Sequence, residues 1–441
     1  MKKLHLLFLS GLLCFSCTSK PKIQETYYKS GRENANKQKH SAAIANFTKA
    51  IMLKPDYADA YCARGISEDV LHKYKEALAD YTKAIELMPD NSAAYYNRGI
   101  SKFENKDFAG AIEDFTSVIK ITPEFYDAYF ERGNVKKSMQ DFQGAKDDYT
   151  KTLAINPKHR GAVRKRGLVN SILGNFSEAI LDLSKALEID PNDAESYYNR
   201  ATAKVNLNDY EGAIVDYTNV LKFKPNNVEV YINRGIAKGN LHDQNGSIED
   251  FDKAIRIDPK NADIYYMIGL QKNRLQNFKG AVSDYTKAIS INPDNADFYI
   301  NRAIALQNLG NHKAAILDYT KGIEIRPGFA TVYYNRGTAK NELRDNAGAI
   351  NDYTKAIEIN PYYADAYFYR GKIRAKLKDK SGAIADYSKV IEIDPKRPEA
   401  YLQRGVEKII MGDKNGGCDD LNKAGELGFE KAYEIRKALC K

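Results

Sequence analysis

The sequence predicts an all-α chain, a solenoid of repeated helical hairpins, and two observations carry that prediction. Eleven prolines, from Pro55 to Pro395, follow one another at intervals of 34 residues, with only Pro21 and Pro398 outside the series. Between them, apolar residues recur at helical spacing in two separate stretches. In residues 92–125, Tyr95, Gly99 and Ile100 mark a first helix and Asp107 falls in a turn. Ala111, Ile112, Phe115, Val118, Ile119 and Ile121 then mark a second helix, and Pro123 closes the unit. Amphipathic spacing of this kind defines helices, and a fixed period without insertions defines one supersecondary unit stacked on itself.

Length and composition agree with that reading. A chain of 441 residues ordinarily suggests two or three globular domains, but an unbroken period replaces that expectation with a single array. The hydrophobic fraction of 43% is that of a soluble protein. Tyrosine is abundant (31) and tryptophan absent, so aromatic packing falls to Tyr and Phe. The formal charge of +9 becomes +7 once Lys2 and Lys3 are removed with a leader, and the basic residues are dispersed among 58 acids. A nucleic-acid partner is therefore not expected.

The amino terminus reads as a targeting segment. Lys2 and Lys3 precede an apolar run of 12 residues, Leu4 to Phe15, too short to span a bilayer and suited to a secretory signal. Cys14-Phe15-Ser16-Cys17 follows and resembles a bacterial lipobox, with Cys14 where Leu or Val is usual. The resemblance implies a signal peptide over 1–16, lipidation of Cys17 and a tethered linker over 17–23. The expected location is a bacterial membrane, with the outer membrane facing the periplasm the first expectation; cleavage to a soluble periplasmic protein is the alternative.

Positions within a repeat are numbered from Gln24. Position four is Tyr in eleven of twelve repeats, with Val163 the exception. Position eight is Gly in ten, with Ala201 and Ala303 the others; position 20 is mostly Ala, and position 24 is Tyr or Phe in ten. Small residues at positions eight and 20 let the paired helices approach closely, and the aromatics are expected to fill the space between hairpins. This aromatic–Gly–Ala–aromatic–Pro pattern resembles the tetratricopeptide repeat (TPR) family over residues 24–431, as twelve repeats. The resemblance implies a right-handed α-α superhelical solenoid whose first helices line a concave groove. Residues 432–441 are expected to form a C-terminal cap helix, as the end of an array requires.

One pattern departs from the family. Position seven, normally apolar, is Arg in ten repeats, and position 23 is Asp in eleven. An arginine beside the packing glycine is costly to bury alone, so an Arg–Asp ladder is expected within or between neighbouring repeats.

Signs of catalysis are missing. The six histidines do not cluster at metal-ligand spacing, and no Gly-rich loop followed by Lys-Ser or Lys-Thr is present. No cofactor is expected, and the chain reads as a non-catalytic scaffold for peptide or protein partners; an assembly factor or chaperone for an outer-membrane or secretion complex is the alternative. Its groove is expected to carry an amide ladder, Asn97, Asn199, Asn233, Asn301 and Asn335, beside the aromatics Tyr96, Tyr198 and Tyr334. An amide offers both a donor and an acceptor to an extended peptide backbone.

Two further expectations concern local chemistry. In the repeat that opens at Arg160, Gly161 replaces the usual acid, Arg164 the groove aromatic and Lys165 the amide. Arg160, Arg164 and Lys165 together suggest an anion site for a carboxylate tail or acidic partner. At the other end, Cys418 lies in the last second helix and Cys440 near the end of the cap. A turn near Gly428 brings them to similar height, where an oxidising envelope permits a disulfide.

Overall fold

The computed structural model describes residues 22–440, so the leader and Cys17 lie outside the described residues. Among the described residues there are 25 helices and no strand. They form two compact bodies that part after Pro225. The first holds six helical hairpins, from Ile23–Asn36 to Tyr210–Phe223. The second holds six more, from Val228–Asn240 to Lys414–Glu426, followed by the cap helix Lys431–Leu439. The first helix thus opens at Ile23, inside the stretch read as linker.

Each hairpin is shaped by a few residues at fixed positions. In repeat three (residues 92–125) the Asp107 side chain accepts from Gly110 N at 3.0 Å and starts the second helix, Phe108–Ile121. A Cβ on Gly110 would fall 2.3 Å from the Asp107 carboxylate, so glycine lets the cap close tightly, whereas repeat nine makes the same cap with Asn311 and Ala314 at a longer 3.3 Å. The turn before it is left-handed at Lys106, where φ is 65°.

The aromatic at position 24 packs differently from the sequence expectation. It lies inside its own hairpin, against the glycine at position eight, rather than between hairpins. A Cβ on Gly269 would stand 2.6 Å from the Tyr285 ring, and one on Gly235 the same distance from Phe251. Tyr285 and Phe251 are fully buried. The glycine is therefore the seat of the ring, and burial of that ring supplies much of the apolar stabilisation of each hairpin.

The Arg–Asp ladder forms within repeats, in all ten that have the arginine. Repeat ten (330–363) shows its full geometry. Arg336 donates from Nε and Nη2 to the two oxygens of Asp352, at 2.9 and 2.7 Å. Its Nη1 donates to Thr320 Oγ1 of the preceding repeat at 3.0 Å. The guanidinium lies over the Tyr333 ring, 5.6 Å from its centroid, which explains the tyrosine at position four. Lys340 Nζ approaches Asp352 from the other side at 2.8 Å. A carboxylate only 1% exposed is thereby saturated by cations and donors.

Neither the lysine at position 11 nor the Ser or Thr at position 25 was singled out from the sequence, yet both belong to this clamp. Eight repeats supply Lys or Arg at position 11 to the aspartate. Repeats two, five and nine carry Glu68, Asn170 and Leu306 there instead.

In repeat two this substitution sets a pH dependence. Burial, and then the facing Asp80 carboxylate, push the Glu68 carboxyl up to about 7. The folded state holds this proton where the unfolded chain has lost it. The contribution to stability is therefore full below the ordinary carboxylate value, falls as pH rises toward 7, and is lost above it. Glu68→Lys restores the clamp cation of the other repeats. Amide exchange in Ala58–Val70 and Tyr74–Leu87 is expected to slow relative to wild type, by an increment that grows from pH 5 to pH 8 to about 1–2 kcal/mol. An increment independent of pH would contradict this account.

Candidate functional site: the first-helix faces and the capped end

The residues expected to contact a peptide do not share one environment. Tyr96 and Asn97 are buried, at 9% and 5% exposure, and are removed from the candidate surface. The Tyr96 ring is packed edge-on against Phe115 and Phe125, with centroids 5.8 and 5.1 Å away, and Asn97 Nδ2 donates to Ala93 O at 2.8 Å. Phe125 closes over Tyr96 from the loop leading into the next repeat, which a count along one helix does not register.

Asn301 is partly committed: its Nδ2 donates to Tyr266 Oη at 3.1 Å and to Asp297 O at 2.9 Å. Asn233 is half-buried. Asn199 and Asn335 are half-buried and make no side-chain hydrogen bond within the described residues, so they keep both donor and acceptor for a ligand. Each adjoins a half-buried aromatic. Tyr198 packs on Tyr217 at 6.1 Å, and Tyr334 packs among Tyr353, Tyr363 and Tyr369 at 5.1 to 6.0 Å. A flat aromatic beside an unspent amide can grip an extended backbone while a neighbouring side chain lies across the ring.

The expected anion site is corrected by its neighbours. Arg160 pairs with Asp190 at the end of its own repeat, and Arg164 pairs with Glu195 of the next. Lys165 donates to Asn134 Oδ1 at 2.6 Å and lies over the Phe130 ring. Lys136, on the first helix of the preceding repeat, belongs to the clamp on Asp148. Arg160, Arg164 and Lys165 lie on one helix, while the acids that neutralise Arg160 and Arg164 arrive about thirty residues later.

At the carboxyl end the structure joins Cys418 to Cys440, with Cα atoms 6.0 Å apart. Ala432 is fully buried, and Ile435 and Phe429 pack on Leu402 and Leu421, so the cap covers the apolar end of the array. Cys62 is the free cysteine of the described residues; burial, then Asp59, push its thiol up to about 12, far from thiolate reactivity. Among the described residues no His, Cys, Asp and Glu side chains gather as a metal site, and no helix is long and apolar enough to cross a membrane.

Helical hairpins of constant length, repeated within each body, define the class of helical-repeat interaction scaffolds. Family comparison names the repeat. Models described as TPR repeat or tetratricopeptide repeat match residues 24–57, 71–106, 126–159, 172–207, 202–241, 228–261, 269–310, 296–329 and 334–398. The chain belongs to the tetratricopeptide repeat family, whose members bind peptide or protein partners.

None of the curated proteins compared matches it in sequence. Among solved structures, it is similar to the MamA protein at 30% identity, over 39% of this chain and 94% of that one, with a TM-score of 0.37. It is also similar to YrrB, described as a TPR protein with an unusual peptide-binding site, at 26% identity over 42% and 95% of the two chains, TM-score 0.38. Yeast Tom70 aligns over 94% of this chain and 95% of its own at 18% identity, TM-score 0.35.

Proposed function

We propose that this chain is a non-catalytic binding scaffold of the bacterial cell envelope, tethered by a lipid on Cys17, which engages peptide or protein partners along its first-helix faces. The observation that carries this reading is the pair of unspent amides, Asn199 and Asn335, each half-buried beside an aromatic. The tether rests on the charged start, the short apolar run and the Ser16-Cys17 pair. The Cys418–Cys440 disulfide supports an oxidising compartment.

A photo-crosslinking residue placed at Asn199 or Asn335 in intact cells is expected to capture discrete partners. The same residue at Lys355, on the exposed side of a second helix, is expected to capture none of them. Equal capture from both faces would refute the assignment. For the tether, wild type is expected to incorporate a labelled fatty acid and Cys17→Ala to lose the label.

A further inference from the structure

Repeat five (160–193) departs from the array on its second-helix side as well. A cleft of about 280 Å³ opens there between the second helix of repeat four, Phe142–Ile155, and the two helices of repeat five, Arg160–Ile172 and Phe176–Ile189. Three departures from the repeat meet in it.

The first is Asn170, at the position where eight repeats carry the clamp Lys or Arg. The shorter side chain leaves the volume a lysine stem fills elsewhere. Its Nδ2 donates to Asp182 Oδ2 at 3.2 Å, while its Oδ1 is buried and has no partner, in a residue only 2% exposed. An orphaned buried acceptor is costly and marks a place where a donor is missing.

The second is Lys146. Ten other repeats place an aliphatic residue at its position, from Ile44 to Ile384. Lys146 lines the cleft and makes no ion pair. The third is Lys185. The five counterparts that have a glutamate three residues on bond to it, as in Lys83–Glu86, Lys321–Glu324 and Lys355–Glu358. Lys185 has Glu188 at the same spacing but forms no such pair, and it lines the cleft instead.

These groups define a ligand. Arg166 and Asp182 on the floor neutralise each other. Two lysines against the single carboxylate of Glu178 leave one positive charge on the rim. Asn170 Oδ1 asks for a hydrogen-bond donor, and Leu181, 63% exposed, offers an apolar wall. The geometry points to a binding site for a small monocarboxylate that carries an N–H or O–H donor and a short apolar stem. The carboxylate lies between Lys146 and Lys185, and the donor satisfies Asn170 Oδ1. The site is separate from the first-helix faces and independent of the scaffold reading.

N-acetylalanine has all three features and serves as the probe, titrated calorimetrically into the purified chain from Cys17 onward. Saturable one-to-one binding is expected, weakened at least about tenfold for its methyl ester, which lacks the charge. Asn170→Lys installs the residue other repeats use, so the fold is retained while the cleft fills; binding is expected to be lost. Lys146→Ile, which also restores the repeat pattern, is expected to weaken binding at least about tenfold. Absence of saturable binding to wild type, equal binding of acid and ester, or undiminished binding by both variants overturns the site. Peptide capture through Asn199 and Asn335 is expected to be unchanged in these variants, which keeps failure of this site distinct from failure of the scaffold reading.

Discussion

Arg302→Met is expected to destabilise its part of the array by about 3–5 kcal/mol, because it leaves the Asp318 carboxylate buried with no cation. Asp318 is 7% exposed, and Arg302 grips both its oxygens at 2.7 Å. Repeat nine has Leu306 where a clamp lysine stands elsewhere, so nothing substitutes for the lost guanidinium. Arg336→Met is the internal control. There Lys340 still faces Asp352 at 2.8 Å, and the expected loss is about 1–2 kcal/mol. Amide exchange of the helices Ala296–Asn308 and His312–Ile325 against Ala330–Glu342 and Asn346–Ile359 reads the two losses separately. Equal losses would show that position 11 adds nothing to the clamp.

Removing the disulfide is expected to release the cap. Cys418 and Cys440 close a loop with a sequence separation of 22, for which chain entropy gives about 3 kcal/mol. The cap helix has only 9 residues, too few to persist without its packing. In a Cys418→Ala, Cys440→Ala double variant, amides of Lys431–Leu439 are expected to exchange about a hundredfold faster. Those of Tyr210–Phe223, in the other body, are expected to keep their rate, because stability in an array passes only between neighbours. Full retention of protection in the cap would indicate that its apolar face suffices alone.

The framework was legible in the sequence because every repeat states it again. Proline, the small residues, the position-24 aromatic and the Arg–Asp pair recur at fixed offsets, so the hairpins and their clamp follow from local spacing. Ligand-facing chemistry does not repeat in this way. Asn97 and Asn199 occupy the same position, yet Asn97 lies buried beside a Tyr96 covered by Phe125, while Asn199 lies half open. Arg164 faces an acid that belongs to the next repeat. The cleft at Asn170 owes its volume to a side chain that is shorter than its counterparts, and a missing stem is visible only by comparing repeats in space. Each of these depends on a neighbour some thirty residues away, and periodicity within one helix carries no record of it.

The arginine clamp also bears on how such a chain can be rearranged. Within each body an arginine reaches 16 residues forward to its aspartate and 16 residues back to a hydroxyl of the preceding repeat, as Arg370 does with Asp386 and Thr354. A 34-residue cassette cut from one slot therefore carries the same plug and the same socket into another, and duplication or exchange of whole cassettes preserves the couplings. One joint is keyed differently. Asp252 occupies the socket where Thr or Ser is usual, and the repeat that follows it has Ile268 in place of the arginine plug. The two changes match each other across a single junction. A cassette ending in Asp252 would serve poorly before any other repeat, so the array is modular along most of its length and indexed at one place.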